Sequence, residues 1–77
     1  MPAPLRRSFE EAMIQFVARW YPYGGGPQQQ ILEEFGLAES AFFGRVLDLI
    51  EYVPDLDPAV RDRLRSICRR RLDEATN

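Results

Sequence analysis

The stretch from Ile31 to Val53 constrains this chain most, because apolar residues recur there at helical spacing on both sides of a single glycine. Ile31, Leu32 and Phe35 share one helical face, and Gly36 suits the left-handed position just past a helix end. Pro27 can occupy the first position of that short helix with Gly26 before it as a cap, since the missing proline N–H has no partner to lose there. Leu37 is then placed to tuck between two helices. Phe42, Val46, Leu49, Ile50 and Val53 repeat through the second helix, widened by Phe43 and Leu47. Pro54 ends it near Tyr52–Val53, because the residue before proline resists the α region. Its start is weakly marked: Ala38 stands where Ser or Thr would cap, and Ser40 would serve only if the helix began two residues later. The pattern predicts an all-α fold of about four helices with a central helix-turn-helix.

The flanking segments read as a lid and a brace. Residues 1–7 hold two prolines and are expected to form a flexible arm, leaving residues 8–75 as one helical domain. Ser8 with Glu11 has capping-box spacing, and Phe9, Met13, Phe16, Val17 and Trp20 fall on one face of the helix that follows. Pro22 stops it at about Tyr21. The run Gly24-Gly25-Gly26 is expected to be a flexible connection that lets the chain reverse over bulky aromatics. It is no phosphate loop, for no strand precedes it and no Gly-Lys-Ser/Thr follows. Pro54 to Pro58 reads as a stiff turn, with Asp57 capping a last helix that has Pro58 at its first position. Val60, Leu64, Ile67, Cys68, Leu72 and Ala75 form its inward stripe. Arg71 falls within that stripe by angle, so it is expected at a fraying end or beside a carboxylate. Residues 75–77 are expected to be disordered. The predicted core comprises Phe9, Met13, Phe16, Trp20, Ile31, Leu32, Phe35, Leu37, Phe42, Val46, Leu49, Ile50, Leu64, Ile67 and Cys68.

Composition narrows the function classes. A chain of 77 residues makes one small domain with little stability to spare, so association with a second chain would help it. One cysteine forbids an internal disulfide and fits a reducing compartment. With neither a secretory signal nor a membrane-length apolar run, a cytoplasmic location is expected. No histidine and one cysteine exclude a usual zinc site. Cys68 reads as a buried small hydrophobe. The adjacent pairs Glu10-Glu11 and Glu33-Glu34 diverge on a helix and make no acid–base dyad. An enzyme is therefore the least favoured class, with no cofactor, metal or small-molecule substrate expected. Trp20, Tyr21 and Tyr23 could in principle stack bases, but core packing is the better reading of Trp20.

Charge is unevenly spread over the overall −2. Residues 27–57 carry Arg45 alone against Glu33, Glu34, Glu39, Asp48, Glu51, Asp55 and Asp57, a net −6. Residues 58–77 carry six arginines against Asp62, Asp73 and Glu74, a net +3. A helix entering the major groove relies on cations to meet the phosphates. The outward face of the second helix instead shows Glu39, Ala41, Gly44, Arg45, Asp48, Glu51 and Tyr52. Arg45 alone there could contact guanine in bidentate fashion. Arg61, Arg65 and Arg69 make one ridge of the last helix, with Arg63 and Arg70 on another side. The plainer reading is that these arginines wet a surface helix and pair with nearby carboxylates.

Residues Phe16 to Leu64 resemble a family of small actinobacterial proteins catalogued as a domain of unknown function. The resemblance rests on Arg19-Trp20-Tyr21, on Ile31 to Leu37, and on Phe42-Phe43-Gly44-Arg45-Val46-Leu47 with Leu49-Ile50. Family members show an Arg-x-Trp-Trp-like start, then an aromatic pair followed by Gln-Arg-Leu-Asn inside a helix-turn-helix. The resemblance implies a helical fold and DNA binding. Gly44 stands where the family has Gln and Leu47 where it has Asn, which removes side chains able to read base edges. Two expectations follow. One is a non-enzymatic module touching DNA, with Arg45 at the groove and Arg61, Arg65, Arg69 and Arg70 as phosphate candidates. The other is a protein-interaction or homodimerisation module, in which the acidic middle of one chain meets the basic last helix of a neighbour.

Overall fold

A computed structural model describes residues 5–54 and 56–76. It is all-α: α1 (Leu5–Trp20), a 3₁₀ turn at Tyr21–Tyr23, α2 (Gln28–Phe35), α3 (Glu39–Leu49) and α4 (Pro58–Thr76), with no strand among the described residues. The helix begins at Leu5, so Leu5–Arg7 are not part of an arm and Ser8 lies inside the first turns instead of capping them. Residues 1–4 of the expected arm lie outside the described residues.

The glycine-centred stretch folds as two helices joined by the three residues Gly36–Ala38. Gly36 adopts φ 67°, and its N–H closes on the Leu32 carbonyl at 2.8 Å. This conformation carries a steric penalty for residues with a Cβ. Pro27 is the N-cap of α2 and not its first residue; Ala38 caps α3 with no side-chain bond. α3 stops at Leu49, four residues before Val53. Beyond it the backbone tightens to three-residue spacing, the N–H of Glu51 reaching Asp48 and that of Tyr52 reaching Leu49, so Pro54 and its constraint on Val53 are met by a turn.

Met13, Phe16 and Val17 of α1, Ile31 of α2, Phe42, Phe43 and Val46 of α3, and Leu64 and Cys68 of α4 are fully buried, with Ile50 beneath the turn. Phe16 centres the aromatic packing, edge-on to both Phe35 and Phe42 at 5.5 Å. Such pairs add about 0.5–1.5 kcal/mol beyond their buried area. Two expected core residues are exposed, Phe9 at 42% and Leu32 at 56%. Leu32 lies about 100° around the helix from the buried Ile31, and Phe9 rests only an edge on Phe35. Trp20, Phe35, Leu37 and Leu49 pack against the core but are only partly buried.

Asp57 caps α4, its Oδ1 accepting from the N–H of Ala59 at 2.8 Å and of Val60 at 3.4 Å. Pro58 is the first helical residue, as its spacing suggests, while Asp55 of the preceding turn lies outside the described residues. At 19 residues α4 outruns the 11-residue α3 against which it packs. Ala75 is therefore exposed and not part of an inward stripe. The helix continues through Thr76, where disorder was expected, and Asn77 lies outside the described residues. No helix among the described residues is long and apolar enough to cross a membrane.

Candidate functional site

The expected cationic ridge is divided among different tasks. Arg61 donates to the Val53 carbonyl at 2.6 Å, tying α4 to the turn after α3, while its Nε is buried without a partner. Arg65 bridges Glu51 at 2.9 Å and Asp62 at 2.8 Å. Its guanidinium is held above its ordinary value first by the hydrogen bonds it donates to Glu51 and then by that carboxylate's charge. Arg45 pairs with Glu10 across the α1–α3 boundary at 2.6 Å. Arg69 and Arg70 are exposed, as is Arg63, and none has an ion-pair partner among the described residues. The structure thus brings no three of Arg45, Arg61, Arg65, Arg69 and Arg70 together as a free cationic surface.

Arg71 is the most committed arginine. It donates to the carbonyls of Gly24 at 3.0 Å and Gly26 at 2.6 Å, pairs with Glu39 at 2.7 Å, and lies 4.6 Å above the Phe43 ring. Its side chain is 16% exposed and that of Glu39 is 20%, so Glu39 does not belong to the outward face of α3. The glycine run is correspondingly a packed element and not a loose connection. Gly25 and Gly26 are buried with φ 102° and 104°, and a Cβ on Gly25 would sit 2.7 Å from Ile67 while one on Gly26 would overlap the Phe16 ring. Backbone that close to the core leaves carbonyls needing donors, and Arg71 supplies them.

On the opposite side of α3 the surface is open. Between α1 and the end of α3 lies a trough of about 530 Å³ with Ile14, Leu49, Val53 and Pro54 among its walls, Tyr52 at its lip and Glu10 and Glu11 along one bank. Among the described residues no Arg contributes to its lining. Tyr52 is 82% exposed. Leu49 and Val53 were expected to continue an inward helical stripe, and the early end of α3 releases them to this edge. Ile14, absent from the expected core, follows Glu10 by one turn. The only sequence signal for the trough was an apolar residue among acids on a face otherwise read as wet.

The aromatic patch divides as well: Trp20 packs on Phe16 and Tyr23, but Tyr23 itself is 79% exposed. Cys68 is buried, and burial pushes its thiol up to about 12, with Arg71 pulling weakly the other way. The nucleophilic thiolate is therefore scarce at neutral pH. Among the described residues no group of three or more Cys, Asp or Glu is arranged to hold a metal ion.

These features define a small all-α domain in which four arginines, Arg45, Arg61, Arg65 and Arg71, bind its own elements together. The chain belongs to the family described as protein of unknown function (DUF3263), which matches residues 7–75. No curated protein and no solved structure matches it.

Proposed function

We propose that this chain is a non-catalytic, cytoplasmic binding module whose partner is another protein. The observation that carries this reading is the commitment of Arg45, Arg61 and Arg65 to Glu10, the Val53 carbonyl and Glu51 with Asp62. Two of the five cationic candidates for phosphate contact, Arg61 and Arg65, are therefore tied to neighbouring elements of the fold, and Arg45 is occupied by an exposed pair with Glu10. The pairing expected between neighbouring chains, acidic middle to basic last helix, is made within one chain by Glu51–Arg65 and Glu39–Arg71. What α1 to α3 and the turn after them still offer is mainly apolar and acidic, with Tyr52, Leu32 and Phe9 exposed and Glu11 and Asp48 lacking ion partners among the described residues, while the exposed arginines Arg63, Arg69 and Arg70 lie on α4. Proteins bind such surfaces, whereas phosphate backbones are repelled by them.

Duplex DNA is the second reading. It is favoured by the helix-turn-helix outline around Gly36 and by Arg63, Arg69 and Arg70, which remain unpartnered on α4. Fluorescence anisotropy against mixed-sequence duplex at low salt separates the two. Protein binding as the main role predicts no saturable duplex binding and a mass that rises with concentration or on adding a partner. Tight duplex binding that weakens steeply with salt and is lost in Arg69→Glu and Arg70→Glu would reverse the order.

A further inference from the structure

We propose that the trough between α1 and the end of α3 docks a basic amphipathic helix of another protein. This rests on the protein-interaction reading and assigns it one face and one partner chemistry. Ile14, Leu49, Val53 and Pro54 are the trough's apolar lining, and it lies between α1 and the turn that ends α3, where side chains spaced i, i+4 and i+7 on an incoming helix can lodge. Its volume, about 530 Å³, falls within the range of ordinary binding sites. Because it is open along its length, it suits a chain segment better than an enclosed small molecule.

Charge selects the partner's sign. Glu10 and Glu11 stand on the α1 bank, and among the described residues no cation lines the trough. Glu11 has no ion partner among the described residues, and neither does Asp48, which is exposed beside Leu49. Among the described residues Glu10 is held only by Arg45, whose side chain is 52% exposed. Such a surface pair is weak and can be exchanged for an incoming Lys or Arg. Tyr52 at the lip presents an unpaired aromatic face to a guanidinium or an aliphatic side chain. An acidic partner or a nucleic acid would meet these carboxylates with like charge.

The test uses the full chain and two synthetic 16-residue peptides of one helical pattern, leucine at the anchor positions, with lysine elsewhere in one and glutamate elsewhere in the other. In ¹⁵N-correlation spectra the lysine peptide is expected to shift Ile14, Leu49, Tyr52 and Val53 and to bind at least about tenfold more tightly than the glutamate peptide. Tyr52→Ala and Glu11→Lys, both at exposed positions, should each weaken it by about fivefold or more with an unchanged melting temperature. Equal binding of the two peptides, shifts centred on Leu32 and Phe9, or no shifts at millimolar peptide would overturn the assignment. If the trough stays silent while light scattering still shows a second copy bound, the docking site is wrong and the protein-interaction reading survives. If both are silent and duplex binds, both are wrong.

Discussion

The two sides of α3 use charge in opposite ways. Toward α4, Arg71 and Arg61 donate to backbone carbonyls and Arg71 also pairs with Glu39, so the helices and the glycine run are joined by hydrogen bonds to partly buried groups, with the more exposed Glu51–Arg65 pair beside them. Toward α1, the one ion pair among the described residues, Glu10–Arg45, lies on the surface beside a largely apolar trough. Energetically these are different objects. A buried charge must keep its partners because bare burial is costly, whereas an exposed pair gains little over water. The α4 side is therefore where the fold is secured, and the α1 side is where it can afford an unfilled surface.

The largest test of this contrast is Arg71→Met. Methionine keeps an apolar stem over Phe43 but leaves two carbonyls and Glu39 without their donor. The variant should lose about 3 kcal/mol, read as a fall in the urea midpoint at constant slope. Gly26→Ala should cost a similar amount, about 3 kcal/mol, because it forces both a positive φ and the Phe16 ring edge. If either variant changes the midpoint no more than a surface substitution does, the packed glycine loop is not what closes the fold.

The legible parts of the fold were those set by neighbours in sequence. Gly36 as a helix end and Asp57 as a cap depend on a few adjacent residues, and Phe42, Val46, Leu64 and Cys68 follow from period alone. Arg71 was expected at a fraying end or beside a carboxylate, and it is the second of these that the structure shows, in its pair with Glu39. Its two carbonyl acceptors were hidden, because they exist only once Gly24 and Gly26 lie across α4, 47 and 45 residues away. Phe9 and Leu32 were placed inside because periodicity gives a direction but not the reach of the neighbouring helix. The trough was missed for a related reason: it opens where α3 ends early, and helix ends are set as much by the following turn as by the apolar stripe.

A smaller effect sharpens the contrast through Cys68, which packs beside the clamp. Its folded thiol lies near 12 against an ordinary value near 9. The native state therefore holds the proton more tightly, so this contribution is complete below about pH 9 and is lost as pH rises toward about 12. Over that window stability should fall by at most about 1.4 kcal/mol per pH unit. Cys68→Ala should flatten the slope, and the native thiol should resist alkylation at pH 8 until urea unfolds the chain. Rapid native labelling would show that the α4 side opens more readily than its packing implies.

Gly44 offers a change in the other direction. A Cβ there would touch nothing within 4 Å, so Gly44→Ala should raise stability by about 0.5–1 kcal/mol through helix propensity alone. A destabilised variant would mean that α3 approaches a neighbour at that point more closely than the structure shows.

The two ion pairs can also be compared directly, and the surface pair should give the smallest effect of all. A double-mutant cycle on Glu39→Gln and Arg71→Met should give a coupling of about 2 kcal/mol, and one on Glu10→Gln and Arg45→Gln a coupling below about 0.5 kcal/mol. The second cycle matters more than its size suggests. If Glu10 and Arg45 couple weakly in the free chain, Glu10 is available to an incoming cation at little cost, and Arg45→Gln should leave stability unchanged while strengthening a basic partner's hold. If they couple as strongly as Glu39 and Arg71, the α1 side is also closed by charge, and the difference between the two sides of α3 disappears.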